Sequence, residues 1–233
     1  MSEYLNKIIK NLTEIEKDER DALAKATRAV ADTIKRDGLI FVFGCGHSHL
    51  PGLDAFYRAG GLANVSPMLD TDLMLHNGAA KSSRMEKMSG IAPEIFRRYV
   101  PTEKDMLFVF SASGKNRLPQ EMAIAAREAG LVTVGVSSSS YFERGGKLHE
   151  CVDIAIDCKI PSGDACIDVG EAKMGGLSTA AACFILNTCL IEGAKLALAE
   201  GTVPPVYLSG NVDGGREHNI KLEDAFLGRV KHL

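Results

Sequence analysis

The stretch from residue 106 to residue 136 constrains the fold more than any other part of the chain. Met106-Leu107-Phe108-Val109-Phe110 is an uninterrupted apolar run of strand length. A polar loop, Ser111-Ala112-Ser113-Gly114-Lys115-Asn116-Arg117, follows it, and residues 118–128 then carry apolar side chains at helical spacing until Gly130 stops them. Val132-Thr133-Val134-Gly135-Val136 reads as a second strand. Two strands joined through a helix by short connections form a βαβ unit, which predicts a parallel sheet covered by helices. The expected class is α/β.

The flanking segments extend that plan. Leu39-Ile40-Phe41-Val42-Phe43 is a strand ending at Gly44-Cys45-Gly46-His47-Ser48-His49, with a helix expected from Ser48 to the Gly60-Gly61 stop. Residues 63–69 form a weaker strand, because Pro67 removes a donor. A short helix is expected over 91–99, another strand over 152–156, and one long helix over 168–200, closed by Gly201 and Pro204-Pro205. Apolar spacing over 2–36 predicts a long N-terminal helix able to cross a subunit interface; the alternative is two helices broken near 18–21. The chain thus divides into a helical segment 1–36, a central domain 37–200, and a loop and helix 201–233.

Composition excludes several classes. The chain has 233 residues, 45% hydrophobic and 24% charged, so it can build a core. Its formal charge of -3, with basic residues scattered among acidic ones, gives no footprint for nucleic acid. No window approaches 18 uninterrupted apolar residues, and the first fifteen residues carry Glu3, Lys7, Lys10 and Glu14, so neither a membrane span nor a secretory signal is expected. Six cysteines without a CxxC pattern read as reduced thiols in a cytoplasmic protein.

Loops at the carboxyl ends of parallel strands form the binding crevice of such a sheet. Three of them share a character here: Gly44-Cys45-Gly46-His47-Ser48, Ser111-Ala112-Ser113-Gly114-Lys115-Asn116, and Ser137-Ser138-Ser139-Ser140. Glycines let the backbone approach a ligand, and hydroxyls and helix-start amides donate to acceptor oxygens. Together they suit a compact dianion, with Gly44, Gly46, Ser48, Ser111, Ser113, Gly114, Asn116, Ser138 and Ser139 as its contacts. Singly, each serine also reads as a cap or turn residue. The first loop lacks the third glycine and the downstream acid of a dinucleotide site, so no nicotinamide cofactor is expected. No metal is assigned, and His47 is read as a polar contact to substrate.

Acid–base chemistry has five candidates. Glu86 sits where no capping pattern requires it, and Glu217-His218 follows a flexible Gly-rich stretch. Glu171 opens the expected long helix, where a first-turn glutamate also complements the dipole. His76 stands behind them.

The strings FVFGCGHSH (41–49), FVFSASGKNRLPQEMAIAAREAG (108–130) and VGVSSS (134–139) resemble the SIS (sugar isomerase) domain family, with spacing shared over roughly 30–200. An uncharacterised branch also carries LSGNVDGGREHN (208–219). The resemblance implies a three-layer sandwich with a five-stranded parallel sheet, a phosphorylated sugar as ligand, and a homodimer or homotetramer. It places phosphate contacts at Ser48, Ser111, Ser113 and Ser138 or Ser139. Lys115 and Asn116 depart from the family's usual loop, and the zinc constellation of the heptose-phosphate isomerases has no clean counterpart. The leading expectation is aldose–ketose isomerisation of a sugar phosphate or amino sugar phosphate, with Glu86 or Glu217 as base and His47 or His218 assisting. The alternatives are a non-catalytic phosphosugar sensor and a sugar-phosphate lyase or etherase.

Overall fold

The computed structural model describes residues 1–233. Five strands, β1 (Ile40–Gly44), β2 (Val65–Pro67), β3 (Met106–Phe110), β4 (Val132–Ser137) and β5 (Ile154–Asp157), form one parallel sheet in the order β2-β1-β3-β4-β5. The central register runs Val42 against Phe108 and Phe108 against Val134. The expected parallel sheet is therefore present, and Pro67 sits in the short edge strand, where a missing donor costs least.

Side chains alternate across the sheet, and both faces are covered. Ile40, Val42, Met106, Phe108, Phe110, Val134 and Val136 join one buried cluster with the helices α2 (Arg20–Lys35) and α7 (Ser178–Ala199). Phe41, Phe43, Leu107 and Val109 join the other, against α5 (Ala92–Arg97), α6 (Arg117–Glu128) and the end of α8 (Gly215–Phe226). Helices on both faces give three layers.

Three expectations change. In place of one long helix, the N-terminal segment takes the alternative form of two helices, α1 (Glu3–Asp18) and α2, broken at Glu19 within the 18–21 stretch. Burial explains the break: α2 packs along α7 under the sheet, while α1 leaves Leu5 and Ile9 on the surface. The helix from Ser48 is a tight turn (Gly46–His49) followed by a short α3 (Leu50–Ala55). The single long helix over 168–200 does not exist. Residues Ala165–Val169 (β6) and Ala172–Gly176 (β7) form an antiparallel hairpin, and α7 begins only at Ser178. The hairpin is half-buried at best and lies against α1, where the Tyr4 hydroxyl donates to the Gly176 carbonyl at 2.8 Å. The 22 residues of α7 are long and apolar enough to cross a membrane, but here they are the core helix against α2 and the sheet.

Candidate functional site

The strand carboxyl ends deliver β1, β3 and β4 to one side of the molecule, and α7 starts there too. A cavity of about 20 Å³ lies between them, lined by His47, Ser48, Ser111, Cys158, Ser178 and Thr179 over a floor of Phe110, Val136 and Ala182. That volume admits one small group rather than a whole sugar. The hydroxyl-bearing residues Ser48, Ser111 and Thr179 line it, and no side-chain hydrogen bond within the chain engages their hydroxyls. They are donors in waiting.

Backbone geometry builds this cradle. A Cβ at Gly44 would lie 2.1 Å from the Ser48 carbonyl oxygen, so only glycine lets the chain fold back over the end of β1. In that turn His49 Nδ1 bonds the Gly46 carbonyl. Gly114 has φ +60, in the left-handed region, and its carbonyl accepts from the Lys147 and Leu148 amides and from Gln120. Gly114 is thus a structural pivot of the loop after β3.

The amino end of α7 adds the positive end of a long helix dipole. Asp164 caps it: Leu177 N and Ser178 N donate to its Oδ1 at 2.9 and 2.8 Å, and Ser178 Oγ to its Oδ2 at 2.7 Å. The next amides, of Thr179 and Ala180, are left without a backbone partner. Placing the helix start at residue 168 hid Ser178 and Thr179 from the sequence reading. The pair Gly175-Gly176 ahead of Ser178-Thr179 was the signal that could have found them.

The other expected contacts sort differently. Ser113 lies at the side of the loop, where its hydroxyl faces the Lys115 amide at 3.4 Å. Ser138 is buried, donates to the Ile160 carbonyl at 2.6 Å and is shared with Ser140. Ser139 is exposed, and its amide donates to Asp157. Neither serine of the third loop lines the cavity. Asn116 occupies the residue before α6 and makes no cap bond with its side chain.

Glu86, which follows α4 (Ala79–Met85), is half-buried beside these loops. Burial pushes its carboxyl above the usual carboxylate range, opposed by the nearby Asn116 amide and the Lys87 charge. The Leu118 amide at the start of α6 donates to its backbone carbonyl at 3.3 Å. Burial holds the thiol of Cys45, in the loop after β1, far above the ordinary range, with the Glu86 and Asp70 charges adding to it. Cys158 is pushed up to about 12 by burial. Burial thus favours the neutral thiol over the nucleophilic thiolate at both positions.

Three acid–base candidates lie elsewhere. Glu171 is not at a helix start; it sits exposed in the turn between β6 and β7. Glu217 is exposed on α8, and His218 Nε2 bonds the Val206 carbonyl at 2.9 Å. Val206 bridges Leu62, which precedes β2, so both residues stand at the amino end of the sheet, across the molecule from the cavity. His76 is exposed in a tight turn whose Leu75 approaches Gly46. No group of three His, Cys, Asp or Glu side chains is arranged to hold a metal ion. A larger groove of about 470 Å³ runs between α7 and the turn at 58–62, but it carries no serine or threonine.

Comparison with known proteins agrees with this architecture. The SIS domain family matches residues 3–138. The chain is 37% identical to a UPF0309 protein of Geobacillus thermodenitrificans, covering 100% of this chain and 97% of the relative, and 37% identical to one of Thermoanaerobacter pseudethanolicus, covering 99% of each. Among solved structures, a phosphoheptose isomerase from Francisella tularensis superposes with a TM-score of 0.52 at 16% identity, over 82% of this chain and 94% of that one. The sugar isomerase domain of an RpiR transcription factor from Sphaerobacter thermophilus gives 0.51 at 15%, over 84% and 92%. At such identities these two share the fold alone.

Proposed function

The chain belongs to the SIS domain family, and from that premise we propose that it binds a sugar phosphate or amino sugar phosphate and interconverts its aldose and ketose forms. One observation carries the reading. The hydroxyls of Ser48, Ser111 and Thr179 converge on a small cavity at the strand carboxyl ends, and a half-buried carboxylate, Glu86, follows α4 on a separate segment whose backbone carbonyl is held by the Leu118 amide of α6.

The phosphoryl group enters the cavity, where hydroxyls and the first amides of α7 take its oxygens and the helix dipole favours its charge. Fixing that end of the ligand limits where the carbon chain can lie, which converts proton transfer into a positioned, intramolecular step. Glu86 takes the proton from C2 of the aldose and returns it to C1 through an enediolate, and the oxygen-bound proton moves from O2 to O1 in balance. Desolvation serves this role, because a carboxylate with a raised pKa is a stronger base. His47, exposed at the cavity mouth, assists ring opening and proton movement between the oxygens.

Self-association fits the same reading. The helix α7 is apolar around its whole circumference, yet Ile191 and Leu198 are about half exposed, as are Leu5 and Ile9 on α1. Covering them would make a homodimer or homotetramer.

The test is incubation with a panel of sugar phosphates in deuterated water, read by NMR. Deuterium at C1 or C2 with isomer formation supports the proposal. Tight binding without exchange assigns a sensor, and release of a leaving group assigns a lyase.

A further inference from the structure

Of the hydroxyl-bearing residues around the cavity, one differs from the rest. No side-chain hydrogen bond engages the hydroxyls of Ser48, Ser111 and Thr179, whereas Ser178 Oγ donates to Asp164 Oδ2 at 2.7 Å. A hydroxyl owns one hydrogen and two lone pairs. With its hydrogen committed to a carboxylate, which accepts and does not donate, Ser178 has only lone pairs left for a ligand.

The backbone fixes that carboxylate. Asp164 stands at φ 67°, in the left-handed region that a residue with a side chain enters at a cost. Gly176 lies opposite, where a Cβ would come within 2.7 Å of Asp164 Oδ2. Oδ1 takes the Leu177 and Ser178 amides at 2.9 and 2.8 Å, which is sufficient to cap α7. The bond from the Ser178 hydroxyl to Oδ2 goes beyond capping.

We propose that the Asp164–Ser178 pair makes the cavity selective for a phosphoryl group that still carries a proton, with Ser178 Oγ accepting from its P–O–H. The inference rests on the reading of this cavity as the phosphate site and adds the ionic form that it takes. A volume of about 20 Å³ admits one small group, so the O–H that meets Ser178 belongs to the phosphoryl group and not to the sugar. Ser48, Ser111 and Thr179 donate to the unprotonated oxygens. A tetrahedral anion without a hydrogen, such as sulfate, sets an oxygen against the Ser178 lone pairs with nothing between them.

Inorganic phosphate and sulfate at about pH 8 test this, because both carry about two negative charges and only phosphate keeps a hydrogen. Calorimetry on the full-length protein should show phosphate bound about 10- to 100-fold more tightly than sulfate, the worth of one hydrogen bond to a charged group. In Asp164→Asn the amide oxygen still caps α7, while the amide nitrogen donates to Ser178 Oγ and turns the hydroxyl hydrogen toward the cavity. The two affinities should then approach each other. Loss of the Asp164 charge acts on both anions alike and cancels in their ratio. Ser178→Ala keeps the carboxylate cap and should also lower the ratio, by weakening phosphate and relieving sulfate. An unchanged ratio in Ser178→Ala overturns the proposal, even if Asp164→Asn is too unstable to study. A parent protein that binds both anions equally overturns it too and leaves the phosphate site standing. A parent that binds neither ends the reading of the cavity as a phosphate site, and this inference with it.

Discussion

Two serine-rich loops leave neighbouring strands of one sheet, and they do different work. The loop after β3 presents the Ser111 hydroxyl, without a partner, to the cavity beside Ser48, and leads into α6, whose Leu118 amide holds the Glu86 carbonyl at 3.3 Å. The loop after β4 spends its hydroxyl internally: Ser138 ties the chain to Ile160, and Ser139 uses its amide on Asp157. The difference lies in what sits opposite. Ser111 faces the open amino end of α7, whereas Ser138 faces a carbonyl that burial would otherwise leave unpaired. A hydroxyl binds ligand only where the fold has not already claimed it.

The largest expected effect tests the chemistry attached to the first loop. Glu86→Gln should lower kcat by about 10²–10⁴-fold, the usual worth of a general base. Its stability should move the other way. Because burial raises the folded pKa of Glu86, the folded chain holds that proton more tightly than the unfolded one. Its contribution to stability therefore improves as pH falls through the folded value and turns into a cost once the buried group ionises above it. Thermal melts across pH should show Glu86→Gln at least as stable as the parent near neutrality, while parent kcat falls with falling pH. A melting temperature clearly lower than the parent's would make Glu86 a structural residue.

Next come the two hydroxyl classes themselves. Ser111→Ala and Ser48→Ala should each weaken sugar-phosphate binding by about 1.5–3 kcal/mol, the worth of a hydrogen bond to a charged group, and change stability little. Calorimetry with phosphorylated and free sugars would read this, and equal loss for both ligands would break the contrast between the loops. Ser138→Ala should do the reverse, costing about 1–3 kcal/mol in urea denaturation through the orphaned Ile160 carbonyl, with a smaller effect on affinity than Ser111→Ala. The smallest effect belongs to α8. Glu217→Gln and His218→Gln, at the far end of the sheet, should leave kcat and affinity unchanged in the same assays. A loss of turnover there would mean that a second copy of the chain brings α8 to the cavity.

Much of this was legible from one dimension. The run 106–136 showed strand, loop and helix because buried parallel strands are apolar throughout and helices repeat at 3.6 residues. The glycine loop after β1 and the serines of the loop after β3 also showed, since Gly44 is forced by a 2.1 Å approach that no other residue permits. The hairpin 165–176 did not show. Its strands are short and half exposed, and Gly175-Gly176 read as small helix residues in a run rich in them. Misplacing the α7 start by ten residues then put Glu171 at a helix terminus and hid Ser178 and Thr179.

By itself, the sequence determined the α/β class, the parallel sheet and the crevice side, because those follow from local periodicity and from connections too short to allow another topology. Only the tertiary structure decided which hydroxyls are free, that Glu86 is held against the first turn of α6, and that Glu217 and His218 stand across the molecule. These are relations between residues 20 to 30 positions apart or more, and hydrogen-bond partners and desolvation exist only once distant segments have met.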